Sequence, residues 1–439
     1  EVIDLAKRIE GCVRHVGVHA AGVVISPTPL IEWTPLQPDP KGGKLITQYD
    51  MYSITDEYGG VGLLKFDFLG IKNLSILADS VLRVKNTRGV SVDIENVPID
   101  DKKTFEMLAR GETEGTFQLN GSGLTRWLKE LKPSSIHDIN AMVALYRPGP
   151  MEVIPSYIER KHNKALIRYP DPRMEKYLKE SYGLLVYQDD LLYSAVELAG
   201  YSWLEVDQFR KAIGKKIPEE MAKQKEKFTK GVVAHGQTEA FADKIWKLFE
   251  PFAAYGFNKA HAASYGKVAY QTAYMKANYP VDYMAALLTA DSGDVEQIAI
   301  YVAEAKRMHI EVLPPDVNES GAVFTEVGPQ KETIRFGLSS IKNFGEGVSE
   351  AIIKEREARG SFSNLADFLS RVGSKNLNRK SLESLIKCGA LDRFEKRGTL
   401  LHNIETLLTF HRDATAAHSQ DSLCGATLVA PPTLTLTEA

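Results

Sequence analysis

Residues 183–192, GLLVYQDDLL, set two adjacent carboxylates, Asp189 and Asp190, behind a tyrosine and a glutamine and between apolar runs. Tyr-x-Asp-Asp can hold a catalytic divalent metal when it sits on a β-hairpin, which requires a second strand after the acidic pair. The residues that follow instead place Leu191, Leu192, Ala195, Val196, Leu198 and Ala199 at helical spacing. That pattern predicts strand, turn and helix, with the two carboxylates capping and charging the first turn. Residues 65–67, KFD, offer a different chemistry: one carboxylate, Asp67, inside an otherwise apolar strand. An unpaired buried charge is costly, so Asp67 needs a cation, a metal or exposure at a cleft. Lys65 projects to the same face two residues earlier. Both a Lys–Asp ion pair and a metal ligand beside a phosphate-binding lysine fit that spacing.

Residues 255–279, YGFNKAHAASYGKVAYQTAYMKANY, open a long helix with a polar cluster of Asn258, Lys259 and His261. A helix start supplies free N–H groups and a positive dipole end, which suit a phosphate chain. Tyr255, Tyr265 and Tyr270 offer a stacking surface for a base. A capped core helix with snorkelling lysines explains the same residues. Residues 210–230 hold eight basic and three acidic side chains, and Arg210, Lys211, Lys215 and Lys216 come before any acid. Such a run suits either a solvated helix or contact with phosphates. Residues 337–356 read as helix, FGEG, helix, with Gly345 and Gly347 expected to let the backbone approach a phosphate. This is a helix-hairpin-helix pattern, although Glu346 puts a negative charge in the hairpin. Lys342 precedes it, and Arg371, Lys375, Arg379 and Lys380 form a basic patch nearby.

These side chains need a scaffold, and 439 residues suffice for several domains. The formal net charge is only −3, which excludes a uniformly basic nucleic-acid binder and leaves local patches to make such contacts. Cys12, Cys388 and Cys424 are isolated in sequence, which argues against a zinc ribbon or a disulfide framework and favours the cytoplasm. No apolar run is long enough to span a membrane. HAAGVVIS (19–26) and VGLLKFDFL (61–69) predict buried strands, residues 71–84 a helix, and residues 100–290 a mostly helical region. A strand-like stretch and two short helices are expected beyond LPPD (313–316). The first residues are already helix-like and ATLVAPPTLTLTEA offers no core, so the expectation is a piece of a longer protein.

The ordered set HAAGVVIS, LLKFDFLGIK (63–72), TFQL (116–119), ALYRPGP (144–150), FRKAIGKKIPEEMAKQ (209–224), YGFNKAHAASY (255–265), YQTAYMKANYP (270–280) and LPPDVN (313–318) resembles the alpha subunits of bacterial replicative DNA polymerase III, the C-family polymerases. The resemblance runs to about residue 425. It implies an α+β multidomain fold: the end of a thumb (1–18), a partial polymerase-beta-like palm (19–72), and large, mostly helical fingers (73–290). A helical helix-hairpin-helix and clamp-binding region (291–425) and a tail (426–439) follow. It implies template-directed nucleotidyl transfer with two Mg2+ ions, in which Asp67 matches the third of three palm aspartates and Lys65 the lysine beside it. The other two are expected upstream of Glu1, so the chain alone is expected to be inactive.

By the same carry-over, Arg210, Lys211, Lys215, Lys259 and His261 face the triphosphate of the incoming deoxynucleotide, and His261 or Tyr265 helps reject a ribose. Lys342, Gly345, Gly347, Arg379 and Lys380 belong to the module that holds primer-template DNA. Gln420–Cys424 occupies the place of the sliding-clamp peptide, with Cys424 where the family has an aromatic, and other replicase subunits are further implied partners. The family usually carries glutamate and glutamine at the positions of Asp189 and Asp190. Two rivals stand beside this reading: a non-catalytic DNA-binding module, and a transferase built on Asp189 and Asp190.

Overall fold

The computed structural model describes residues 1–12, 15–55, 59–215, 218–253, 256–373, 377–419, 431–432 and 434. The expectations placed on Tyr255, Lys216, Lys375 and Gln420–Cys424 lie outside them. The chain divides into two compact units, Glu1–Lys72 and Asn73–Ala439.

The first unit contains α1 (Val2–Ile9), β1 (Gly22–Ile25), β2 (Leu36–Pro38), β3 (Leu45–Thr47), α2 (Met51–Ile54) and β4 (Leu64–Asp67). β1 pairs antiparallel with β4, placing Gly22 opposite Asp67 and Val24 opposite Lys65, and β2 pairs antiparallel with β3. Asp50 caps α2 by accepting the N–H groups of Tyr52 and Ser53. Ala21, Ile54 and Leu63 are buried, whereas Val23, Ile25, Leu64 and Phe66 are exposed. The two strands expected to be buried therefore form an open ribbon, because a two-stranded sheet has too few neighbours to cover its faces.

The second unit is mainly helical. It runs through α3 (Lys72–Arg88), α4 (Lys102–Ala109), α5 (Ser122–Leu131), α6 (Ile136–Leu145), α7 (Ile154–His162), α8 (Glu175–Leu178), α9 (Gln188–Ala199), α10 (Trp203–Lys215), α11 (Pro218–Ala234), α12 (Glu239–Ala253), α13 (Lys259–Asn278), α14 (Pro280–Ala290) and α15 (Val295–Arg307). Then come β5 (Val312–Leu313), β6 (Thr325–Val327), β7 (Thr333–Arg335), α16 (Glu346–Arg359), α17 (Leu365–Arg371), α18 (Arg379–Cys388), α19 (Arg397–His402) and α20 (Ile404–Ser419). The last three strands form one small mixed sheet in the order β5-β7-β6.

α13 organises the unit, packing Ala269, Tyr270 and Ala273 against Leu108, Leu128 and Met142 of α4, α5 and α6. A second core gathers Phe209, Phe228, Trp246 and Phe249 from α10 to α12. A third joins α3, α14 and α15 to the small sheet, and a fourth unites α16 to α20. Buried cations between elements are matched with acids. Lys276 of α13 bonds Glu304 of α15 at 2.6 Å, and Lys161 of α7 bonds Asp138 of α6 at 2.7 Å. Removing one partner from such a pair strands a buried charge, which costs more than the pair itself gains.

Two local expectations fail. GLLVY is not a strand: Tyr187 makes one isolated parallel bridge to Phe257, so its backbone pairs with the segment entering α13 and not with a sheet. The first helix of the FGEG hairpin is only a 3-10 turn, Leu338–Ser340. Among the described residues no helix is long and apolar enough to cross a membrane.

Candidate functional site

Asp67 ends β4 with its side chain 54% exposed, and Lys65 Nζ donates to its Oδ1 at 2.6 Å. That hydrogen bond, more than any other influence, holds the Asp67 carboxyl below the ordinary carboxylate range. His19 Nδ1 lies 3.7 Å from the same oxygen and accepts the N–H of Ala21 at 3.2 Å. A Cβ at Gly22 would stand 3.0 Å from Lys65 Cε and 3.1 Å from His19 Nδ1. Glycine thus leaves the room in which both side chains close over Asp67. Sequence reasoning did not single out His19, although it opens the HAAGVVIS stretch; the β1–β4 pairing brings it to Asp67.

Magnesium takes near-octahedral oxygen ligation, commonly one or two carboxylates with substrate phosphates and water. Asp67 brings one carboxylate, already bonded to Lys65. Among the described residues no group of three His, Cys, Asp or Glu side chains is placed to hold a metal. These residues do not by themselves make the Mg2+ site that the resemblance implies.

In the second unit, Asn258 caps α13 by accepting the N–H of His261 at 2.8 Å. Asp189 Oδ2 accepts the N–H of Lys259, also at 2.8 Å. Two N–H groups of the expected phosphate site therefore already meet protein oxygens. The Lys259 ammonium lies 3.2 Å from Glu180 and 5.6 Å from the Tyr187 ring centre.

Asp190 is 1% exposed, and its Oδ2 accepts the N–H groups of Val186 and Tyr187, both at 2.8 Å. Burial still raises its carboxyl to about 7. The acidic pair is a clasp: Asp190 closes its own turn, and Asp189 ties that turn to α13. The Gln188 N–H adds a bond to Phe257 O at 2.9 Å. This is the capping expected from the sequence, extended to a second helix 70 residues away.

Along α13, ring centroids lie 4.2 Å apart for His261 and Tyr265, 5.3 Å for Tyr265 and Phe117, and 5.1 Å for His261 and Phe257. Tyr270 does not join this surface. It is a core residue whose hydroxyl donates to Pro98 O and accepts the N–H of Asp101. On α10, Arg210 and Lys211 both bond Asp207, at 2.8 and 2.9 Å, in exposed pairs; Lys215 ends the helix.

The hairpin at 340–347 is built differently from expectation. Asn343, not a glycine, takes the left-handed conformation at φ 62°. Gly345 caps α16 at φ −76°, and Gly347 lies in its first turn. The conformational freedom of these glycines is thus not what shapes the turn. Glu346 sits at the start of α16, where a negative charge suits the helix dipole.

Lys342 and Asn343 line a groove of about 820 Å³ with Lys380 and Lys387 of α18, over Pro314, Pro315 and Phe336. Arg379 pairs with Glu405. Arg371 leaves the expected basic patch: it is 9% exposed, lies on the Phe362 ring and bonds Glu355 and Asp367, each at 3.1 Å.

Residues 73–236 match the finger domain of the bacterial DNA polymerase III alpha subunit, residues 1–70 the bacterial DNA polymerase III alpha NTPase domain, and residues 309–400 a helix-hairpin-helix motif. The chain is 48% identical over 413 residues to DNA polymerase III subunit alpha of Thermus aquaticus, covering 93% of this chain and 33% of that protein. It is 44% identical over 420 residues to the same subunit of Deinococcus radiodurans, covering 93% and 31%. For Mycobacterium tuberculosis the figures are 42% over 419 residues, 94% and 34%. The chain spans about a third of the length of these relatives.

Proposed function

Because this chain belongs to the family of bacterial DNA polymerase III alpha subunits, we propose that it supplies part of the palm, the fingers and the helix-hairpin-helix module of a DNA-directed DNA polymerase. The observation that carries this reading is the extent of the likeness: 48% identity across 93% of the chain. The reaction is template-directed nucleotidyl transfer from deoxynucleoside triphosphates to a primer in chromosomal replication. Asp67 contributes one carboxylate to a two-Mg2+ site whose remaining acidic ligands come from outside this chain. Lys65 keeps that carboxylate ionised and sets a cation where phosphate charge arrives. Arg210, Lys211, Lys215, Lys259, His261 and Tyr265 face the nucleotide. The surface carboxylate pairs of Arg210, Lys211 and Lys259 are weak enough to open for a ligand of higher charge. Lys342, Gly345, Gly347, Arg379 and Lys380 hold the duplex through its backbone. Clamp binding through Gln420–Cys424 and contacts with other replicase subunits belong to the same proposal.

The chain alone does not polymerise in this reading. The test is to add the upstream region of a relative in trans and follow primer extension with Asp67→Asn and Asp189→Asn variants. Extension that disappears only with Asp67→Asn supports the polymerase. Loss only with Asp189→Asn would point to the acidic pair instead. Salt-sensitive duplex binding without extension, in a folded assembly, would leave a DNA-binding module.

A further inference from the structure

Arg147, in the RPGP turn after α6, lies within one of the stretches that carry the family likeness, yet none of the roles given above falls to it. Its guanidinium carbon lies 3.7 Å from the centre of the Phe257 ring, a flat stacking distance. Nε donates to Ala144 O at 2.9 Å and Nη2 to Val143 O at 3.1 Å. Both acceptors are neutral carbonyls at the end of α6. The two Nη1 donors and the second Nη2 donor have no acceptor among the described residues.

Other cations of the same unit are different. Lys259 pairs with Glu180, Arg210 and Lys211 with Asp207, and Lys267 with Glu95. Arg147 has no carboxylate partner among the described residues, and partial burial alone lowers its proton affinity. Arg160 and Arg356 are also partly buried and likewise lowered, but each has acidic neighbours that counter part of the desolvation, Glu159 in one case and Glu357, Asp316 and Glu319 in the other. A stacked arginine tethered at one edge, with a free fork at the other, is preorganised for a doubly bonded phosphate. Phe257 also connects this fork to the His261–Tyr265 stack on α13.

We propose that Arg147 is a phosphate-binding residue of the fingers, and that it grips the triphosphate of the incoming nucleotide while His261 and Tyr265 lie beside its sugar and base. The proposal rests on the polymerase reading and adds a residue to the same site. A capping role alone would need only the two carbonyl bonds. Phosphate binding uses the other edge.

The test is calorimetric titration of the whole chain with inorganic tripolyphosphate, with a deoxynucleoside triphosphate and with a short single-stranded oligonucleotide. The proteins are wild type, Arg147→Gln, Arg147→Lys and Lys259→Gln. Arg147→Gln is expected to weaken tripolyphosphate and nucleotide binding by about tenfold or more, with a smaller salt dependence. Arg147→Lys should recover part of the loss, since it restores charge without the fork. If Arg147→Gln does not fold, Arg147→Lys still carries the test, because an ammonium can bond the same carbonyls; about threefold or greater weakening is then expected at unchanged thermal stability. Wild-type affinity in the Arg147 variants, with weakening in Lys259→Gln, would overturn the role of Arg147 and leave the polymerase reading intact. No binding of either phosphate probe by the wild type would remove both. Weakening confined to the oligonucleotide would overturn the triphosphate assignment in favour of a backbone contact.

Discussion

Asp67 and Asp190 are the same residue type in opposite surroundings. Asp67 stands exposed at the end of a two-stranded ribbon, and the Lys65 ammonium holds its carboxyl low. Asp190 is buried beneath a turn, has two backbone N–H groups as partners, and is raised to about 7. The more motif-like carboxylate is therefore the structural one, and the solitary carboxylate is the one open to a ligand. An acidic pair advertises chemistry only when its oxygens are free; here Asp189 and Asp190 spend theirs on helix starts and turns.

The largest effect expected from this contrast is catalytic. In the complemented polymerase, Asp67→Asn should lower primer extension by about 100-fold or more, the scale of lost transition-state charge stabilisation. The chemical denaturation midpoint should stay nearly unchanged, as at other exposed positions. Equal losses in extension and stability would make Asp67 structural and break the comparison.

Asp190 should respond to pH. Its native carboxyl holds a proton to about pH 7, against an ordinary value of 3.8. The native state therefore binds more protons than the unfolded chain between those values, and stability falls as pH rises through that window. The full swing is on the order of 4 kcal/mol. Asp190→Asn, which keeps an acceptor for Val186 and Tyr187, should flatten the dependence and be the more stable protein at pH 8. Urea denaturation at pH 5 and pH 8 measures this; an unchanged slope would remove the buried titration from the account.

Asp189→Ala should cost about 1 kcal/mol, the usual worth of a helix-capping acceptor, because the Lys259 N–H loses its partner. Asp189→Asn should cost less. Amide exchange at residues 259–262 should rise in the alanine variant while exchange in α20 stays unchanged. The smallest effect belongs to Asp207→Asn, because its solvent-exposed pairs with Arg210 and Lys211 are screened by water and salt. Its removal should leave the thermal midpoint nearly unchanged and, in the proposed function, strengthen binding of inorganic tripolyphosphate by freeing two cations. Weaker binding would show that Asp207 orients them.

Much of the scaffold was legible locally. The 3.6-residue spacing after Asp190 announced α9, and Asn258 announced the start of α13. Lys65 and Asp67 had to share a face if residues 64–67 formed a strand. The errors have a common cause. GLLVY has the composition of a strand but finds only Phe257 to pair with, and Tyr270 has the exposed look of a stacking aromatic but is enclosed by α4. Arg371 reads as free charge until Glu355 and Asp367 fold against it. For GLLVY and Tyr270 composition was read correctly while the deciding neighbour lay far along the chain; for Arg371 one deciding acid, Asp367, sits only one helical turn away and the other, Glu355, on the preceding helix.

The sequence by itself determined helical periodicity, the helix caps, the face shared by Lys65 and Asp67, and the family likeness, since each is written in short spacings or ordered motifs. Only the tertiary structure decided that His19 reaches Asp67, that Asp189 meets the Lys259 N–H, and that Arg147 lies on Phe257 with no acid beside it among the described residues. Those contacts depend on which distant segments pack together, and side-chain chemistry acts over only a few ångströms. No local pattern can supply that distance.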